Sequence, residues 1–382
     1  MKNRSIIKTF NRSLQNKTIL ERSGISARAY LSQTRAHTLA IFPDSLQAAE
    51  FLQDYKNLYP DLNIFMLNEL PLTSQNKNFK ALLLERGETI KRWINENGIL
   101  VSVPAALMTP CMIGNGEMKI KLSDKFDIEK IKSWLEISGY KRSNLVWIPG
   151  QYIQRGFILD VYDPAYAMPL RFEFFDDEIE RIGAFHPDTQ KSASDLMAID
   201  EVTLHGINDA KRIEPVELLP DDVMIILNDP EKVESQAESF TWLWNEIYSE
   251  LQTTTEISLW DKVFHKLATF PVLRISSDPS KSDVEAPTEA LPAFRGSPES
   301  ILKMCKDLER SKFEIEVFTT NPIFQKLPYK IQNRVLSSGF IDKNSKRAFI
   351  SDRELSGINA NVSFTQWKTP NEWKDIEKLY EG

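Results

Sequence analysis

Cysteine is nearly missing: Cys111 and Cys305 lie far apart in 382 residues and form no C-x-x-C pair. That excludes a disulfide framework and a cysteine-based zinc site, and it fits a reducing cytoplasm. Histidine is as scarce, with His37, His186, His205 and His265 scattered along the chain. No phosphate-binding loop of the form G-x-x-x-x-G-K-[ST] occurs; the segment where one would stand, "NKTILERSGISARAYL" (16–31), holds Gly24 alone. Without such a loop the backbone N–H groups and lysine that hold nucleotide phosphates are wanting, so no cofactor is expected. No apolar run reaches the ~18 residues of a membrane span. The basic start "MKNRSIIKTFNRSLQNK" lacks the apolar run and cleavage site of a signal peptide, so a cytoplasmic protein without a membrane partner is expected. An excess of positive charge is also lacking: 47 Lys and Arg against 54 Asp and Glu leave a net of −7. Non-specific phosphate binding is therefore not the main task, and DNA contact through the basic start is secondary.

What is present is the composition of a folded globular chain, too long for one typical core. Strands and helices alternate from 38 to 108: "TLAIF", a helix through "LQAAEFLQDYKNLYP", "NIFML", a helix through "FKALLLERGETIKRWINEN", and "GILVSV". Alternation with buried-looking strands predicts a parallel sheet wrapped by helices. From about 118 the texture changes to a strand "KIKL", an amphipathic helix "FDIEKIKSWLEISGY", and closely spaced strands "LVWIPG", "QYIQRGFILDVYDP", "MPLRFEFF" and "IERIGAF". The α/β pattern returns with "VMIIL", a long helix after Pro230, and "PVLRISS". The polar, proline-containing "SDPSKSDVEAPTEALP" reads as a linker. A small α/β unit follows, with helices expected over 298–310 and through "IFQKLPYKIQNRVLSSG", and strands "FEIEVFTT" and "RAFISD".

Residues suited to catalysis are hard to find. "IILNDPE" (225–231) has the look of a strand carrying a magnesium-binding acid, but without a phosphate loop it reads as a strand followed by a capped helix. "DDE" (176–178) suits a solvated hairpin turn, and no serine, cysteine or lysine has a base beside it in sequence. The segment "MPLRFEFFDDE" is more telling. Alternation puts Leu170, Phe172 and Phe174 on a core face and Arg171, Glu173 and Phe175 on the other. An aromatic ring beside an arginine on an outward face, with Arg155 on the preceding strand, has the composition of a binding hot spot. The competing expectation pairs Arg171 with Glu173 or Asp177 and tucks Phe175 under the 187–197 loop.

The run 140–192 resembles the second domain of the transcription-repair coupling factor and UvrB families. The resemblance rests on Gly139-Tyr140, Pro149-Gly150, Arg155-Gly156, Arg171, Phe174-Phe175-Asp176, Glu178-Ile179 and Thr189-Gln190. It extends more weakly from about 20 to 356, and the lost phosphate loop favours the coupling factor. The fold it implies is α/β, a degenerate RecA/helicase-like parallel-sheet lobe with an inserted α+β domain and a small C-terminal α/β domain. Expected boundaries are 1–117 and 203–278 for the two parts of the lobe, 118–202 for the insert, 279–292 for the linker, 293–356 for the last domain and 357–382 for a tail. The implied function is recruitment of UvrA through Arg155, Arg171 and Phe175, with no catalytic, cofactor or metal residues. In the full-length family RNA polymerase and double-stranded DNA are further partners, through domains that would begin near where these residues end. Departures are the short stretch after "EVTLHG" and Asn228 where an acid is common. Two rival readings are a regulatory fragment masking the translocase half and a nucleotide-dependent DNA-binding enzyme.

Overall fold

A computed structural model describes residues 17–70, 79–193, 199–251, 257–292 and 298–356, apart from the single positions 115, 126, 167, 209 and 323. The expected tail, 357–382, and nearly all of the basic start lie outside the described residues.

The largest element is a seven-stranded, wholly parallel sheet. Its order is 284–285, 18–20, 272–276, 224–228, 38–41, 99–102 and 64–66, so strands from both sides of the insert lie in one sheet. Its central strands are continuous apolar runs because helices cover both faces, leaving no solvated side that would call for alternation. Residues 118–205 leave this lobe on a two-stranded stem, Glu117–Lys121 antiparallel to Glu201–His205. Beyond the stem a five-stranded sheet packs its inner face on the helix Ile128–Ile137, whose Ile131 and Leu135 join Tyr152, Leu159, Phe172, Phe174, Ile179 and Ile182 in one core. The expected strand "LVWIPG" is instead a turn: Val146 packs on Tyr162 and Phe185, and the Trp147 N–H is bound by the Gln151 side chain.

The segment expected as a linker forms strands. Val284–Glu285 extends the large sheet beside Thr18–Leu20, and Thr288–Ala290 extends the C-terminal sheet beside Phe340–Asp342. The backbone takes two sheet edges in succession, which composition alone does not reveal. The helix expected through "IFQKLPYKIQNRVLSSG" is also not there: Phe324–Lys326 is a single 3-10 turn and Lys330–Gln332 a parallel edge strand. Pro328 interrupts any helix, having no N–H to donate and crowding the preceding turn. The C-terminal unit is fastened to the lobe by a shared core, where Ile19, Ala27, Tyr30 and Leu31 meet Phe318, Leu336, Phe340 and Phe349. A polar latch lies beside it. The fully buried Asp54 carboxylate accepts from Ser26 Oγ (2.7 Å), Ser337 N (2.9 Å) and Ser337 Oγ (2.6 Å). Burial pushes its pKa up to about 6 in spite of those donors. Among the described residues no helix is long and apolar enough to cross a membrane.

Two buried ionic clusters hold these parts. At the C-terminal ends of the lobe's strands Arg28 lies between Glu21 (3.3 Å) and Asp229 (3.0 Å), with all three side chains nearly inaccessible. Burial alone would raise the Asp229 pKa, but Arg28 more than offsets this and holds it below the usual carboxylate value. Removing the guanidinium strands two acids in low dielectric. Arg28→Met should therefore cost about 3–5 kcal/mol in urea unfolding, and adding Glu21→Gln and Asp229→Asn should recover part of the loss.

The second cluster sits where stem, lobe and insert meet. His205 Nδ1 is 3.1 Å from Asp163 of the insert, its Nε2 is 3.9 Å from Glu88 of the lobe, and Glu117 is its partner across the stem. Asp163 also accepts from Tyr140 Oη at 2.6 Å, and Lys91 neutralises Glu88 at 2.7 Å. Burial pulls the His205 pKa down, but Asp163, then Glu88 and Glu117, outweigh it and the value is raised. A folded-state pKa above the unfolded one means stability fully present below about 6.5 and lost as pH rises through the raised value. Thermal midpoints of the unmodified chain should thus fall more steeply above pH 6.5 than those of His205→Gln; equal slopes would remove His205 from this role.

Candidate functional site

The candidate site is the outer face of the insert's sheet. Register places it: Arg171 stands opposite Asp160, Glu173 opposite Ile158, Asp160 opposite Ile153, and Ile158 opposite Arg155. These side chains share the face away from the helix, because Leu159, Phe172 and Phe174 occupy the core side. Opposite the Glu173–Phe174 step the facing strand holds one extra residue, Glu180, and Phe175 then pairs with Glu178 to close the hairpin over Asp176 and Asp177. Asp176 takes a positive φ of 57°, a turn conformation that aspartate tolerates better than most residues.

The face has two halves. In the covered half, Tyr162, Val146 and Phe185 form a small apolar cluster with Ile153 packed on it. Asp160, with its side chain 1% exposed, stands opposite Ile153 on the same face. Arg171 grips it bidentately, Nε to Oδ1 at 2.7 Å and Nη2 to Oδ2 at 2.9 Å, while the guanidinium lies 4.6 Å from the Phe185 ring centroid. The hydrogen bonds that Arg171 donates to Asp160 raise its pKa further. Arg155 approaches the same carboxylate at 3.8 Å and donates to the Asn144 carbonyl at 2.9 Å, with 42% of its side chain exposed. In the open half Phe175 is 69% exposed.

The three residues read from the sequence therefore share one face but not one environment. Phe175 faces solvent and does not pack under a loop. Arg171 does not pair with Glu173 or Asp177: its partner is Asp160, and Glu173 is bound by Arg181 at 3.2 Å. Only 15% of the Arg171 side chain is exposed, so it braces the face more than it projects from it. Asp160 escaped notice because its importance comes from cross-strand pairing. The signal lies in "FILDVYD", where an acid interrupts an otherwise apolar strand. Phe157, in the turn after Gly156, is also exposed and was read as part of a strand.

At the lobe's strand ends, where α/β folds take ligands, Arg28 occupies the space between the first strand and Asp229. Gly24, with φ of 105°, starts the next helix, and a β-carbon there would come within 2.8 Å of Ser338 Oγ from the C-terminal unit.

Residues 118–205 match the model of the UvrB interaction domain. The transcription-repair-coupling factor of Escherichia coli K12 is 28% identical over 221 residues, 56% of this chain and 19% of its own length. The Bacillus subtilis factor is 26% identical over 208 residues, 52% of this chain and 18% of its own. That of Haemophilus influenzae is 35% identical over 109 residues, 28% and 10%. The chain thus spans less than a fifth of each of these relatives. Residues 118–205 are thus similar to a UvrB interaction domain, and about half of the chain is similar to part of the transcription-repair-coupling factors.

Proposed function

We propose that this chain is the UvrA-recruiting module of a transcription-coupled nucleotide-excision-repair factor, with the outer face of the insert as its docking surface. One observation carries the reading: Phe175, exposed on the open half of a face whose other half is braced by arginines around Asp160, within the segment that matches the UvrB interaction domain. Phe175 supplies apolar area for a pocket on the partner. Arg155 supplies a half-exposed guanidinium able to engage a carboxylate or carbonyl. Arg171 acts through Asp160, holding the face in shape.

The module works by recruitment and does not hydrolyse ATP in this reading. Arg28 is already committed to Glu21 and Asp229 at the strand ends where a nucleotide would sit. Calorimetric titration with ATP and magnesium should accordingly give no binding heat, and saturable binding would revive the enzyme reading.

The central test is titration of the chain with purified UvrA at moderate salt. Phe175→Ala should weaken binding by about 2 kcal/mol, roughly thirty-fold, and Arg155→Ala by about 1 kcal/mol, both with unchanged circular dichroism. Arg171→Ala should lower affinity and thermal stability together, because it strips the buried Asp160 of its closest counter-charge. If the unmodified chain does not bind UvrA, the recruiting function is wrong.

A further inference from the structure

The open half of the face holds more apolar surface than Phe175 alone. Two turns lie side by side at the end of the sheet, because Phe174 N–H donates to the Phe157 carbonyl at 2.9 Å. This bond brings the Gly156-Phe157 turn against the strand that delivers Phe175. Phe157 is 67% exposed, and Ile158, opposite Glu173, is 36% exposed. Isolated exposed apolar residues are ordinary, but two phenylalanines and an isoleucine gathered at one sheet end form a patch. The Phe157 side chain, unlike its carbonyl, stands apart from the interior of the described fold. It belongs to none of the described core clusters, and a turn beginning with Gly156 at a φ of 61° asks for small or polar residues. The patch also has electrical polarity. Arg155 and the Arg181–Glu173 pair flank it on the sheet side, and Asp176, Asp177 and Glu178 form an acidic turn at the tip.

We propose that Phe157 is a second aromatic anchor of the docking surface, inserted with Phe175 into one apolar pocket of the partner protein. The pocket carries a carboxylate on the side that meets Arg155 and a basic group on the side that meets the 176–178 turn. This rests on the recruiting function above and adds to it a residue that sets how wide the partner's pocket must be. Among the described residues none covers this ring, which leaves it to a partner, and a charged rim orients whatever buries it.

The test uses the full chain with Phe157→Ser, Phe175→Ser and the double substitution, each titrated with UvrA by calorimetry and checked for an unchanged thermal midpoint. Phe157→Ser should weaken binding roughly tenfold or more. The double substitution should lose less than the product of the single losses, since the two rings share one pocket. Arg155→Glu should weaken binding beyond Arg155→Ala by placing like charges together. Unchanged affinity in Phe157→Ser beside a clear loss in Phe175→Ser would overturn the second anchor and leave recruitment standing. Failure of the unmodified chain to bind UvrA would remove both. A chain that sediments as a dimer, and as a monomer after Phe157→Ser, would assign the patch to a second copy and overturn the proposal.

Discussion

A carboxylate out of reach of water must find a cation, and Asp160 imposes that need on the whole outer face of the insert. At 1% side-chain exposure it would be severely destabilising alone. Arg171 answers it directly across the ladder, Arg155 approaches from the other neighbouring strand, and Phe185 lies against the guanidinium from below. Gln190 completes the arrangement: Arg171 Nη1 reaches its carbonyl at 3.4 Å, and its side chain donates to the carbonyls of Val146 and Pro187. One buried charge thereby fixes two arginines, an aromatic ring and two loops. The covered half becomes rigid, and the open half beside it, with its phenylalanines, is presented on a fixed frame. Pre-organisation of this kind lowers the ordering cost of binding, which is where affinity is often lost.

The lobe uses the same device to a different end. In open α/β sheets the crevice at the carboxyl ends of the strands is where ligands settle. Here that crevice holds Glu21, Arg28, Asn228 and Asp229, joined by hydrogen bonds from Arg28 and by Asn228 Nδ2 donating to the Ile41 carbonyl. Arg28 stands on the helix Ile25–Leu31 that follows the first strand, and its charge is paired with the chain's own acids. Ser338 N–H then donates to Ser26 Oγ on the same helix, so the C-terminal unit closes over that end. The strand ends of the lobe are thus part of its joint with the C-terminal unit.

Much of the architecture could be read before any coordinates because period and burial are local properties. Alternating "LRFEFF" and the apolar runs "TLAI" and "ILVS" report how many faces of each strand are covered, and the structure places them accordingly. The outward position of Phe175 follows from the same period of two. What stayed hidden depends on register and on distant chain. The partner of Arg171 is eleven residues away and is set by which residues face each other across a ladder. The 279–292 segment has a linker's composition, and only the two open sheet edges beside it make it strand. The misplaced helix after Phe324 came from counting apolar residues without giving Pro328 its weight.

The two ionic centres and the open face form one chain of dependence. The His205 cluster ties the base of the stem to Glu88 of the lobe and to Asp163 and Tyr140 of the insert, so the insert cannot turn freely about its two strands. Asp163 also caps the turn after the 158–162 strand through the Ala165 N–H at 2.8 Å. That strand carries Asp160. Two residues of sequence thus separate the acid that shapes the outer face from the acid that orients the insert, and one short segment places both. Apolar residues on a solvated face weaken solubility and gain nothing for the fold, so Phe157 and Phe175 are best understood by what the frame beneath them holds still. A surface that is braced by buried charge on one side and anchored to the lobe on the other presents Phe157 and Phe175 in one fixed orientation.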